Sequence, residues 1–296
     1  MRLAFRVSYL GTRFFGSQMQ PAHRTVEGEF VAACRRLDLF GDFREAGFLS
    51  AGRTDRGVHA RGQVVAFSTE YPDRAISALN VQLPPDCWCT GYANVPNEFH
   101  PRYDTLSRTY RYYYAAPPAD ITAMARAAQQ FHGSHNFTNL ARVKDKNPCR
   151  TILAIRVGEA GGFVYLEVTA DSFLWHQVRC MATALWQVGS GEADEGSIPV
   201  LLEQEAERAI PPAPAEGLVL WDTDCRILFS PMQADDRSAS YIEYLRRHHA
   251  LMERVCSALG SLDSTHQSPG PKKSDSDGEG NQDPRDNPDQ GSGGEQ

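Results

Sequence analysis

The segment with the most chemistry in it is Ser50-Ala51-Gly52-Arg53-Thr54-Asp55-Arg56-Gly57-Val58-His59-Ala60-Arg61-Gly62. One carboxylate, three arginines, a histidine and three glycines stand here between two apolar runs. Glycines let a backbone take unusual dihedrals and approach a ligand closely. A loop held between sheet strands presents a side chain rigidly, as reactive residues require. Asp55 could serve as a nucleophile or as a general base. The same residues also fit a charged surface turn closed by an Asp–Arg pair.

Three further segments carry candidate groups. Phe99-His100-Pro101-Arg102 and Ser107-Arg108-Thr109-Tyr110-Arg111-Tyr112-Tyr113-Tyr114 interleave basic and aromatic residues. In a strand, Tyr110, Tyr112 and Tyr114 share one face, with Arg111 and Tyr113 on the other. Tyrosines can stack on a base and arginines can hold phosphates; the same strand also fits aromatic core packing. Arg142 to Arg150 sets Arg142, Lys144, Lys146 and Arg150 around Asp145, a phosphate-contacting or a simply solvated loop. In Phe173 to Val188, the residues Leu174, Val178, Met181, Leu185 and Val188 form the core stripe of a helix. Trp175, His176 and Arg179 fall on another face, with Arg179 near the N-terminal end.

The elements that must position these groups read as follows. A strand at Arg2–Tyr9 leads to a helix at Thr25–Leu37 with Thr25 as N-cap. Strands at Gly47–Ala51 and Gln63–Phe67 follow, the second apolar on both faces as in a buried sheet. A helix near Asp73–Leu83 and a strand near Trp88–Val95 complete β-α-β-β-α-β, the ferredoxin-like pattern. The order repeats loosely: a strand at Arg108–Tyr114, a helix at Ile121–Phe131, strands at Thr151–Val157 and Phe163–Thr169, helices at Phe173–Val188 and Pro199–Ile210, and a strand at Leu218–Trp221. The expectation is an α/β (α+β) fold of two ferredoxin-like halves, residues 1–104 and 105–232, with mixed or antiparallel sheets flanking a central cleft. A helical extension at 233–260 and an acidic tail at 261–296 complete the chain. The tail has no aromatic residue and too little apolar surface to offset the entropy of ordering, so disorder is expected there.

The formal net charge of −7 is at first sight wrong for a polyanionic partner. The tail alone holds eight acidic and three basic residues, which leaves only −2 for the other 260. Local basic surface, not the total, decides. The seven cysteines are scattered and contain no C-x-x-C pair, against a zinc site or disulfide framework. Reduced thiols and a cytoplasmic protein are expected. No apolar run approaches a membrane span, and MRLAFRVSYL reads as a strand rather than a signal peptide.

Taken in order, S-A-G-R-T-D-x-G-V-H-A-x-G-Q-V, F-H-x-R, S-R-T-Y-R-Y, F-L-x-H-x-V-R and P-A-E-G-L resemble the TruA family of tRNA pseudouridine synthases over about residues 3–223. The W-H-Q-V-R-C-M wording is closer to archaeal and eukaryotic members. The resemblance implies an isomerase that turns uridine into pseudouridine in the anticodon arm of tRNA. It implies a homodimer that needs no cofactor and no metal. Asp55 matches the family's catalytic aspartate and Arg179 the arginine paired with it. Arg53 matches the arginine that helps displace the target base, and Tyr110 the tyrosine that packs on the uracil. Arg108 and His59, from the same motifs, join the expected substrate-binding residues. Two departures stand out. Gly16-Ser17-Gln18 replaces a frequent G-W-Q, which is expected to alter RNA contacts there, and Arg56 stands where bacterial members usually have alanine.

Two other functions compete. A non-catalytic RNA-binding protein of the same fold would be marked by loss of Asp55, which is present. A carboxylate hydrolase acting on a nucleoside bond would want a second carboxylate for water activation; the motif segments offer only Asp104 and Asp171, in no recognisable pairing.

Overall fold

The computed structural model describes residues 1–144, 147–203 and 210–260. The tail at 261–296, Lys146 of the basic loop and residues 204–209 of the helix expected at Pro199–Ile210 lie outside the described residues. Met1–Arg246 form one compact unit, and Arg247–Gly260 belong to another.

Strand β1 (Arg2–Tyr9) opens the chain. Helix α1 (Val26–Arg36) follows, capped as expected by the Thr25 hydroxyl, which accepts from the Gly28 N–H at 3.2 Å. Then come β2 (Leu49–Ser50), β3 (His59–Ser68), α2 (Pro72–Gln82) and β4 (Cys87–Val95). The strands pair in the order β4-β1-β3, with β2 on β3. The second half runs β5 (Ser107–Tyr113), α3 (Ile121–Gln129), β6 (Gly133–Asn136), β7 (Cys149–Ala160), β8 (Phe163–Ala170), α4 (Gln177–Ser190), α5 (Ser197–Leu202) and β9 (Leu218–Asp224). Its strands pair as β9-β5-β8-β7, the same arrangement, with β6 added at the edge. A two-residue β10 (Ser230–Pro231) pairs with β4 at the opposite edge, and α6 (Asp236–Gly260) follows.

The two ferredoxin-like halves make one continuous mixed sheet. They join where β3 and β9 run parallel, His59 opposite Val219 and Ala60 opposite Leu220; the other strand pairs are antiparallel.

Alternation along the strands sorts the core. Leu3, Phe5, Val7 and Tyr9 of β1, with Val65 and Phe67 of β3, belong to the main cluster with Phe30 of α1 and Leu79 of α2. Ala4, Val64 and Ala66 point the other way, into a smaller cluster with Phe99 and Cys225. Burial on both faces is why β3 reads as an unbroken apolar run. The main cluster continues through Tyr110, Tyr112 and Tyr114 to Met124 and Met181. On the opposite face Arg111 pairs with Glu167 at 2.6 Å and lies 3.6 Å from the centre of the Trp221 ring.

Strands β3, β6 and β10 and helix α4 differ from the sequence expectation. Strand β3 starts at His59, not Gln63, because its first residues pair with both Tyr9 and Val219. The loop that carries Asp55 is correspondingly shorter. Helix α4 starts at Gln177, not Phe173: His176 adopts φ +67°, and the Gln177 side chain accepts the Leu174 N–H at 2.9 Å. Trp175 and His176 therefore precede the helix and do not share its face with Arg179. The short strands β6 and β10 were not expected; Gly-Ser-His-Asn carries no apolar alternation.

A short 3₁₀ turn at Gly11–Arg13 packs beneath the Asp55 loop, and a side chain at Gly11 would overlap the Val58 carbonyl oxygen. Gly11→Ala is therefore expected to push the two backbones apart at a cost of about 2–3 kcal/mol, measured by urea unfolding against wild type.

Candidate active site

The loop from Ala51 to Val58 is fastened from several directions. Ser17 brackets Thr54: its hydroxyl accepts the Thr54 N–H at 2.8 Å and its own N–H donates to the Thr54 carbonyl at 3.0 Å. The Tyr9 hydroxyl bonds the Thr54 hydroxyl at 2.8 Å. The Gln63 amide closes on both backbone groups of Gly52, at 2.8 and 3.3 Å. The Val58 N–H donates to the Asp55 carbonyl at 3.2 Å, closing a tight turn. Gly57 sits third in that turn at φ +85°, where type II geometry demands glycine. Ser17 is buried, so the G-S-Q departure acts on the backbone beneath Asp55, a role the sequence comparison did not suggest.

The Asp55 carboxylate receives groups from the start of α4. The Trp175 indole N–H donates to Oδ1 at 2.9 Å. Arg179 Nη1 and His176 Nε2 each approach Oδ2 at 3.4 Å. The Arg179 Nε donates to the Ala213 carbonyl at 2.6 Å, and the Ala213 N–H returns to the Arg179 carbonyl at 3.1 Å, so the guanidinium is held from behind. The positive end of the helix dipole lies on the same side, which favours an anion. Burial, with the nearby Arg179 and Arg142, lowers the His176 pKa against the opposing pull of Asp55.

Asp55 opens into a pocket lined by Arg53, Tyr110, Phe173, Trp175, His176 and Arg179 among others. The Tyr110 ring meets Phe173 edge-on at 5.2 Å. Burial pushes its phenol up to about 12, so it stays neutral at physiological pH. Arg53 is exposed at the rim. Beside it the Arg56 guanidinium covers the Phe15 ring at 4.3 Å, and Phe15 stacks on His23 at 4.5 Å. Among the described residues no group of three or more His, Cys, Asp or Glu side chains is placed to hold a metal.

Of the residues singled out by sequence, Asp55, Arg179, Tyr110 and Arg53 meet at this pocket. His59 and Arg108 do not line it. His59 accepts the Gly11 N–H on Nδ1 at 3.0 Å and stands opposite Val219 at the start of β3, joining three segments. Arg108 donates to the carbonyls of Ala51, Arg102 and Asp171 at 2.7, 3.0 and 2.9 Å. In this geometry both fasten the loop from behind. In the basic loop, Arg142 donates its N–H to the Trp175 carbonyl at 2.8 Å, while Arg142 and Lys144 lie 5.0 and 5.1 Å from the Trp175 ring centre. Trp175 and His176 reach Asp55 from the segment just before α4, and Phe173 joins the pocket wall there, an approach that helical spacing does not reveal.

The fold and pocket define an α/β protein built around one carboxylate, with aromatic walls suited to a planar ring. A family model described as tRNA pseudouridine synthase matches residues 6–104 and 127–224. The chain is 55% identical over 270 residues to the tRNA pseudouridine synthase A of Methanoculleus marisnigri, covering 91% of this chain and all of the relative. It is 54% identical over 263 residues to the protein of the same name from Methanosphaerula palustris, covering 89% and 93%. The match to that of Thermococcus sibiricus is 40% over 223 residues, covering 75% and 84%. The chain belongs to the tRNA pseudouridine synthase family.

The His59 contact has a pH consequence. Burial lowers its pKa below the ordinary 6.5 against the opposing pull of Glu216, and the neutral ring accepts the Gly11 N–H. On acidification the unfolded chain takes up the proton first. Stability is therefore full above about 6.5, falls as the pH drops below it, and stops falling once the folded-state pKa is passed. Denaturation between pH 7.5 and 5 should show a smaller acid-dependent loss in His59→Gln than in wild type.

Proposed function

We propose that this chain isomerises uridine to pseudouridine in the anticodon arm of tRNA, with Asp55 as the catalytic carboxylate and Arg179 as its charge partner. The observation that carries this reading is the Asp55–Arg179 contact inside an aromatic-walled pocket, with Arg53 at its rim. The reaction breaks the bond from uracil N1 to ribose C1′, turns the base and rejoins it through C5; N1 gains a proton and C5 loses one. Asp55 serves as nucleophile at the ribose or as a base on it. A base within a stacked arm must leave the stack to reach such a pocket. Arg53 is placed to support that displacement and Tyr110 to receive the ring. Arg142, Lys144 and Arg56 supply positive charge for phosphates despite the acidic total.

The same reading places the enzyme in the cytoplasm as a homodimer. Its seven cysteines are free thiols, as suits a reducing compartment, and no helix among the described residues is long and apolar enough to cross a membrane. The homodimer is carried by the family resemblance.

Asp55→Asn should abolish pseudouridine formation while tRNA affinity and fold persist, and Arg179→Ala should impair turnover by removing the guanidinium charge beside Asp55. Pseudouridine mapping of treated tRNA, together with an assay for free uracil, checks both and separates isomerase from hydrolase; wild-type turnover by Asp55→Asn would end the assignment.

Tyr110 gives a separate test. Its ring belongs to the core cluster and to the pocket wall at once. Tyr110→Phe keeps the ring and should bind RNA normally. Tyr110→Leu loses a stacking contact of about 1–3 kcal/mol, so binding or turnover should fall roughly 5- to 150-fold. Melting temperature and single-turnover rate on both variants distinguish stacking from core filling, for which stability alone would drop.

A further inference from the structure

Trp175 is 41% exposed, yet it makes the shortest polar contact to Asp55, from its indole N–H to Oδ1 at 2.9 Å. The neighbouring His176 reaches the other oxygen, Oδ2, at 3.4 Å. Consecutive side chains do not ordinarily converge on one small group: in a strand they point to opposite faces, and in a helix they diverge around the axis. Convergence is achieved here because His176 takes the left-handed conformation, φ +67°. That conformation is unfavourable for a residue with a Cβ and tends to occur where the surroundings enforce it at a functional site. The Trp175 carbonyl is fixed by the Arg142 N–H, and its ring lies against Arg142, Lys144 and His176.

We propose that Trp175 is a positioning residue for Asp55: its indole N–H fixes the rotation of the carboxylate by holding Oδ1 and presents Oδ2 to the nucleotide. This rests on the reading of Asp55 as the reacting carboxylate. The terminal torsion of an aspartate is broad and roughly two-fold, so something must select one orientation. Arg179 does so only loosely, because its contact at 3.4 Å lies beyond ordinary hydrogen-bond length and its Nε is committed to Ala213. The Trp175 bond is within that range and charge-assisted. The two oxygens are thereby differentiated: Oδ1 is held, and Oδ2 faces the polar groups of the pocket.

The test removes the donor and keeps the ring. Trp175→Phe loses the N–H, and 3-benzothienylalanine at position 175 replaces it with sulfur at nearly unchanged shape. The isostere gives the answer even where the Phe variant fails to fold. Loss of one hydrogen bond to an ionised group should slow single turnover at saturating tRNA roughly 10- to 100-fold in both variants. The dissociation constant for tRNA should stay within about two-fold, since the change falls on the reacting state rather than on binding. Wild-type single turnover by the isostere would overturn the proposal. So would a loss confined to the dissociation constant, which would make the ring a base-stacking platform. Asp55→Asn is run alongside: activity in that variant defeats the Asp55 reading itself, whereas an inactive Asp55→Asn beside a fully active isostere defeats only the role of Trp175.

Discussion

The site depends on a short parallel contact in an otherwise antiparallel sheet. His59 and Ala60 of β3 lie beside Val219 and Leu220 of β9, and this seam joins the two halves. The loop carrying Asp55 enters the seam from one half, while α4 and the Ala213 segment come from the other. The carboxylate and its partners therefore belong to different halves, and their spacing is set by the seam. His59 is the residue in which these demands meet. It starts the strand, accepts from the 3₁₀ turn and lies opposite Val219 of β9. A histidine in the signature motif thus has a mechanical role that is easily mistaken for a chemical one.

Much of this architecture is legible in the residues. Alternation in β1 and β5, the two-sided apolar run in β3 and the threonine cap of α1 each arise from local physics that acts before tertiary structure does. The Asp55 loop was legible because its composition is expensive: glycines and unpaired-looking charges between apolar strands call for an explanation. What the sequence concealed was set by long-range contacts. Helical spacing extends α4 beyond its N-terminal end because Leu174 continues the apolar stripe; Leu174 is indeed buried, but from outside the helix. A left-handed residue at His176 has no local signal, since neither glycine nor asparagine marks it. Arg108 and His59 were grouped with the pocket because their motifs contain pocket residues, whereas their directions depend on where Ala51, Asp171 and Gly11 come to lie.

The electrostatics are similarly local. A chain of net charge −7 nonetheless gathers Arg53, Arg56, Arg142, Lys144 and Arg179 around or beside one pocket. Several of these cations rest on aromatic rings, Arg56 on Phe15 and both Arg142 and Lys144 against Trp175. Such contacts hold long side chains in place without neutralising them, so the charge is ordered before a polyanion arrives. An ion pair would have cancelled it.

The bracket between Ser17 and Thr54 reaches beyond this one molecule. Two segments nearly forty residues apart are interlocked through backbone groups and a buried hydroxyl, with Gly16 at φ +91° against the Thr54 carbonyl. A side chain much larger than serine at position 17 could not occupy the same space without rebuilding the path beneath Asp55. The loop after β1 and the loop before β3 therefore behave as one exchangeable part. A redesign of either loop would have to carry the other with it for the carboxylate to keep its register.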